Sequence, residues 1–591
     1  MRAWWSDRAS ALLALAGALA LLAAWGLLLD QGGSGFLLAY VGMEYPNITE
    51  IVFGYYFLLT AAPAMLLLVF ALVKMKVGER LMAYWDRFAA WPMSLALLAG
   101  FVLLATLSLR AGVLQGAAMT QDEYVYDFIA DTLEAGRLVN EVPDDPEHFA
   151  NEFMILNDRG WFGKYPIGHP LLLAAAGRVG LRNAAVPVVS AALLVVTFVL
   201  GARLYDRRTA LLAAVLLAVS PQFLLTGATR LSQPASALFA SLGLVGLVAW
   251  ERRPRALTAL GAGLAFGFAL LVRPFPGLLF VPVAAAALLA GQHGGGPRRK
   301  WLHAALVGAG VLGGLAALAA VNLVQTGDAF RTGYHIDYKV ADTAALVSKG
   351  HSAATVTSSV MNGLARLHVW QAGFPLLLVC AFFARPVRGR RLLWGMLGAL
   401  LAYRFLIPKA GVVSTGPIYL YEALPWLAVL CADGLRRSEM PSALGWFTAR
   451  SRRIAFLAGG AAVALAFFWP VNLESLYFGA RRHQRAYDMV ERAASKSAVV
   501  FYEARIQGTW ARYLRNPKPD LSDDALYLRK RAFSYAELEE FAARRFPDRE
   551  RWVLLYSNGG NPRLLPLSDL VEKERQEPRP PERLRIPVSG G

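Results

Sequence analysis

Apolar runs of membrane-crossing length divide most of the chain. They fall at 11–29, 51–73, 89–109, 184–204, 209–225, 233–250, 256–272, 275–291, 302–324, 370–384, 391–407, 419–435 and 454–471. A helix needs roughly 17–25 predominantly apolar residues to cross a bilayer core. The pattern therefore predicts an all-α polytopic membrane protein with about 13 transmembrane helices. The first run is longer than the apolar core of a secretory leader, about 7–15 residues, and a second span follows it. It reads as a retained helix.

The polar stretches between the runs set an orientation, because Lys and Arg collect in cytoplasmic loops. With Arg2 and Arg8 inside, every second loop is basic. Lys74, Lys76, Arg80 and Arg87 fill the first, and Arg203, Arg207 and Arg208 the next. Arg385, Arg388, Arg390 and Arg391 mark a later one, and Arg436, Arg437, Arg450, Arg452 and Arg453 the last. The N-terminus is then cytoplasmic, and loops 110–183 and 325–369 lie outside with everything after about residue 472. The expected organisation is two additional N-terminal helices (1–88), a transmembrane module (89–471) and an extracytoplasmic C-terminal domain (472–591). In that last part VVFYEA (499–504) and WVLLYS (552–557) read as strands, with a helix over 535–546 between them, giving a small α/β domain. Its final stretch, EPRPPERLRIPVSGG, is Pro-rich and charged and reads as disordered.

Composition sharpens the picture. Of 591 residues, 56% are hydrophobic and 17% charged, against about 25% charged in soluble domains. A soluble enzyme and a disordered chain are both excluded. The net charge of +18 follows the loop alternation, so it is a topogenic signal and no nucleic-acid partner is expected. Cys380 and Cys431 both lie in apolar runs and offer no disulfide framework.

Candidate chemistry concentrates outside. QDEYVYDFIADTLEAG places Asp122 beside Glu123, with Asp127 and Asp131 at helical spacing and Tyr124, Phe128 and Ile129 between them. This predicts an amphipathic surface helix. Its acids are either a solvated face or functional groups at the lip of the bundle. WFGKYPIGHPLLLAAAGRVG follows, where Lys164, Tyr165 and His169 are interleaved with Pro166 and Pro170 before a short apolar stretch. A re-entrant or interfacial helix fits, with Lys164 at headgroup level as a lipid-phosphate partner or as a snorkelling anchor. In the second loop, RTGYHIDYKV brings Arg331, Tyr334, His335, Asp337 and Tyr338 together, and aromatics with an acid and an arginine suit sugar or lipid-phosphate binding as well as an interfacial belt. The same holds for Tyr419, Tyr421 and Glu422, of which Glu422 begins a span, where an acid usually lines a polar cavity. The histidines are scattered without metal-ligand spacing.

The outer DE pair straight after a span, followed by a KYPxGxP segment leading into a short helix, resembles the GT-C membrane glycosyltransferases. The similarity is to the protein O-mannosyltransferase and aminoarabinose-transferase branch, and it covers roughly residues 89–471. The segments 220–239, LVRPFPG (271–277), 322–338 and 416–435 agree with it. The resemblance implies transfer of a hexosyl or pentosyl group from a polyprenyl-phosphate donor to a lipid, glycan or protein acceptor. The reaction is expected on the outer face of a bacterial inner membrane. It implies that Asp122 or Glu123 is the general base and that Lys164 stabilises the phosphate, with Arg230 and Arg273 as further cations. Many relatives carry an acid or a histidine where this chain has Gln233, which cannot serve as a base or readily as a metal ligand. No cofactor is called for, and a divalent cation is left open. A lipid-linked sugar flippase or transporter and a non-catalytic envelope assembly subunit are the competing readings.

Overall fold

The computed structural model describes residues 8–21, 23, 48–290, 296–348, 351–407, 411–436, 449–494, 497–504, 514–531, 533–556 and 562–576. The Pro-rich tail and the end of the first expected span lie outside them. The chain groups into two compact units. One comprises Met1–Arg110, Val186–Leu315 and His351–Leu476, the other Ala111–Ala185, Ala316–Gly350 and Tyr477–Gly591.

Among the described residues five helices are long and apolar enough to cross a membrane. They are Ser94–Val113, Arg182–Leu204, Gln233–Arg252, Arg298–Thr326 and Arg450–Ala493, and two sharply bent pairs raise the number to seven. The chain is an integral membrane protein. Other expected runs are shorter helices, Ala256–Val272, Pro274–Ala290 and Ala423–Arg436 among them. The run 209–225 is broken rather than continuous. Ser220 Oγ accepts from the Phe223 N–H and Pro221 occupies the first turn, so a second helix starts 63° away from the first. Serine before proline is a strong helix start. The run 370–384 is not a spanning α-helix. Gly373 and Leu376 take left-handed backbone, with φ of 77° and 73°, around Pro375, and the chain continues as a 3-10 helix, Leu377–Phe383. That segment packs so closely on helix Ala423–Arg436 that a Cβ at Gly434 would lie 1.8 Å from the Cys380 carbonyl.

Small residues set a close helix crossing in the first unit. Gly263 and Gly267 face Val307, Gly310 and Gly314, where an added Cβ would come within 2.2–2.4 Å of opposing backbone atoms. Two four-residue glycine spacings thus let two backbones touch, as small residues do in lipid-embedded bundles. At the basic ends of the helices, Asp206 caps helix Arg207–Ala218 through the Thr209 N–H at 2.9 Å and also accepts from Arg436. Arg385 joins Asp206 (3.3 Å) to Asp433 (2.6 Å), which is 1% exposed.

The second unit contains the expected acidic helix, Gln121–Glu134, and an antiparallel hairpin, Met154–Asn157 with Gly160–Gly163. A ten-residue helix, Gly168–Gly177, and a short one, Gly333–Asp337, complete its loop part. Its C-terminal part is a four-stranded sheet. Strand Ala498–Ala504 pairs in parallel with Ala525–Arg529 and with Glu550–Tyr556, which in turn pairs antiparallel with Pro562–Pro566. The two strands and the helix read from sequence are present, the helix as Tyr535–Arg545 with a Ser534–Glu537 capping box. Val500, Tyr502, Tyr527 and Leu554 bury one face of the sheet against Tyr487 and Val490.

His148 ties the first loop to this sheet. Its Nδ1 lies 3.1 Å from the Arg529 carbonyl, and its ring packs on Phe541 at 4.2 Å and Phe533 at 4.6 Å. Burial holds the imidazole below its ordinary value. Unfolded, the ring takes a proton near 6.5, whereas folded it does so only at lower pH. Stability from this group is therefore complete above about pH 6.5 and is lost as pH falls through the folded value. Thermal unfolding followed from pH 7.5 to pH 5 should show the decline, and His148→Phe should flatten it. An unchanged acid dependence in that variant would remove His148 as its cause.

Candidate active site

In the second unit the first turn of the acidic helix and the KYP segment meet. Tyr165 donates its phenol proton to Asp122 Oδ1. Burial, with the Asp122 charge beside it, pushes the phenol well above its ordinary value, so it remains a donor. Asp122 is half-buried, while Glu123 is fully enclosed and its Oε1 accepts the Met119 N–H at 2.7 Å. The two neighbouring acids thus face different ways, as the roughly 100° between successive helical residues requires. Farther along the helix, Asp131 and Glu134 pair with Arg182 at 2.6 and 2.5 Å, and burial pushes the Asp131 carboxyl up to about 6. Those two acids anchor the helix end.

Lys164 is 4% exposed and pairs with Asp337 Oδ2 at 2.9 Å. Its ammonium lies 3.3 Å from the Phe153 ring centroid, and 5.2 Å from those of Tyr165 and Tyr338. Such rings attract a cation where water is excluded. Tyr334 is also close, 5.9 Å from the ammonium and 5.8 Å from the Tyr165 ring. His169 stands edge-on to Tyr126 at 4.9 Å, and Tyr126 packs on Tyr165 at the same distance. The two outer loops touch at Gly333, where a Cβ would lie 2.6 Å from the Lys164 carbonyl. The structure therefore gathers Asp122, Lys164, Tyr165, His169, Tyr334 and Tyr338 into one cluster. Arg331 is exposed, its main chain bonded to Asp328 and Thr326.

The remaining candidates lie in the first unit. Arg273 and Glu422, expected separately, pair with each other at 2.5 Å and are 9% and 0% exposed. Tyr419 presents its ring to Arg273 at 5.4 Å and to Arg404 at 5.1 Å. Arg404 also donates to Ser359 Oγ. Tyr421 is wholly enclosed in the apolar core, stacked on Phe223 at 6.3 Å. Arg230 is half-buried at the turn after helix Pro221–Gly227.

Sequence reasoning missed Tyr126, Phe153 and Arg404 as neighbours of these groups. Phe153 left one trace, a left-handed φ of 67°, but no residue type announces it. Asp337 was named within RTGYHIDYKV for ligand binding, and its pairing with Lys164 was not foreseen. Among the described residues no group of three or more His, Cys, Asp or Glu is placed to hold a metal ion.

With this geometry in view, the chain's fold is similar to that of ArnT, a likeness that agrees with the resemblance its motifs carry. Residues 164–321 match the model of the family described as dolichyl-phosphate-mannose-protein mannosyltransferase. The structure of ArnT from Cupriavidus metallidurans in the apo state superposes with a TM-score of 0.51 at 14% identity, over 79% of this chain and 93% of that one. The same protein bound to undecaprenyl phosphate gives 0.48 at 12% identity, over 79% and 94%. The Archaeoglobus fulgidus oligosaccharyltransferase gives 0.43 at 11%, over 78% and 70%. No curated protein sequence matches.

Proposed function

We propose that the chain transfers a sugar from a polyprenyl-phosphate donor to an acceptor on the outer face of a bacterial inner membrane. Its N-terminus is cytoplasmic and the region after residue 472 is outside, a sidedness supported by the alternation of basic loops. Asp122 takes the proton of the acceptor hydroxyl while the sugar carbon develops oxocarbenium character. Cations stabilise the phosphate as it leaves, Lys164 first among them, with Arg273 a further candidate. Tyr334, Tyr338 and His169 supply rings and polar edges for a sugar. The observation that carries this reading is the junction of Tyr165 with Asp122, since the next residue, Lys164, bears a buried ammonium. A carboxylate bonded to Tyr165 and a cation on the adjoining residue suit a reaction that moves a proton and builds phosphate charge. ArnT, whose fold the chain shares, has been solved bound to undecaprenyl phosphate, which supports this class of donor.

The test is direct. Purified full-length protein is incubated with labelled undecaprenyl-phosphate mannose, glucose and aminoarabinose and with bacterial membrane lipids and proteins. Label is expected in an acceptor from at least one donor. Movement of intact labelled lipid across vesicles without transfer would favour the flippase reading, and neither activity would favour the assembly subunit.

A further inference from the structure

The carboxylate helix Gln121–Glu134 is held by parts of the chain more than 350 residues away. Gln121, the residue before Asp122, is fully buried and grips the main chain of Leu514 from both sides. Its Nε2 donates to the Leu514 carbonyl at 3.1 Å, and its Oε1 accepts the Leu514 N–H at 2.8 Å. One turn on, the Tyr124 hydroxyl bonds His483 Nε2 at 2.8 Å, with His483 2% exposed on helix Trp469–Ala493. Gln121 and Tyr124 share one face of the helix, three residues apart, and Asp122 points about 100° away.

We propose that the C-terminal segment 477–576 positions the base, with Gln121 and Tyr124 as the positioning residues that Leu514 and His483 hold. The inference rests on the role of Asp122 given above. A helix N-terminus frays readily because its first N–H groups lack intrahelical partners. Here the first turn is fastened on one side by Leu514 and His483 and on another by the Glu123 bond to Met119. The Asp122 carboxylate accepts from the Tyr165 phenol. Fixing a base to within a fraction of an ångström matters because a misplacement of about 1 Å can cost 10²-fold in rate. The glutamine amide suits the task, since it donates and accepts at once and so reads a peptide unit as a β-strand neighbour does. The C-terminal segment thus acts on the reaction through the placement of the base.

Gln121→Leu removes both bonds at similar volume, and Tyr124→Phe deletes a single hydroxyl. Each is measured in the full chain, alone and combined with Asp122→Asn, using whichever undecaprenyl-phosphate sugar the intact protein turns over best. Either single variant should lower kcat about tenfold and leave the KM for donor within twofold. In the Asp122→Asn background neither should lower the residual rate further, because effects passing through one group are not additive. Hydrogen exchange of residues 119–126 should quicken in both variants while that of 168–177 stays unchanged, a result readable without turnover. An equal fall in both backgrounds, an unchanged kcat or unchanged exchange overturns the inference. Should Asp122→Asn itself retain full rate, the base assignment falls first and this inference falls with it. Tyr124→Phe keeps the test open if Gln121→Leu does not fold.

Discussion

Asp122→Asn should reduce turnover by about 10²–10⁴-fold, the usual worth of a positioned general base, while the protein folds and binds donor as before. Asparagine keeps the volume and still accepts from the Tyr165 phenol, so the local hydrogen bond survives and proton uptake is lost. Glu123→Gln is the matched control. Glu123 is enclosed and its Oε1 accepts the Met119 N–H, which a glutamine carbonyl also does. That variant should keep its rate and lose at most about 1–3 kcal/mol of stability, the cost of an imperfectly satisfied buried polar group. Single-turnover kinetics with labelled donor separates the two. A full rate for Asp122→Asn, or a collapse for Glu123→Gln alone, would reverse their roles.

Lys164→Met should weaken donor binding and turnover together, by on the order of 2–4 kcal/mol, as removal of one preorganised electrostatic contact does. The structure adds a partner to this expectation. The ammonium is paired with Asp337 at 2.9 Å, so an arriving phosphate must share the cation or displace the carboxylate. Asp337→Asn should therefore tighten binding of undecaprenyl phosphate, whereas Lys164→Met strands Asp337 without its cation and loosens it. Lys164→Arg should retain part of the function, since it keeps the charge and changes reach and geometry. Binding of undecaprenyl phosphate to all three variants, measured by calorimetry, reads the sign directly. If affinity is the same in all of them, Lys164 is an interfacial anchor.

The long apolar runs were legible because a bilayer demands about twenty consecutive apolar residues and little else does. The shorter ones were ambiguous for a local reason. Ser220-Pro221 restarts a helix inside 209–225, and left-handed turns at Gly373 and Leu376 replace the expected span at 370–384. Asp122, Lys164 and Tyr165 could be read because they occupy two contiguous motifs. Arg273 with Glu422 could not be read as a pair, since only tertiary packing brings residues 149 positions apart within 2.5 Å. The grip of Gln121 on Leu514 is farther from reach still. Its partner is a peptide unit, which every residue has, so no side-chain pattern at 514 could announce it.

The arginines that read as an orientation code are also fastened in the finished fold. Arg385 joins Asp206 and Asp433, Arg436 bonds Asp206, and Arg208 and Arg450 both reach Asp86. In the proposed orientation such charges act singly during synthesis, each retaining its loop on the cytoplasmic side. After assembly the same charges close one helix end onto another, and Asp433 is almost fully enclosed. Stripping Arg385 or Arg436 to invert the insertion would thus also unlock the folded bundle. Moving charge within a loop while leaving those four arginines in place keeps the two roles apart.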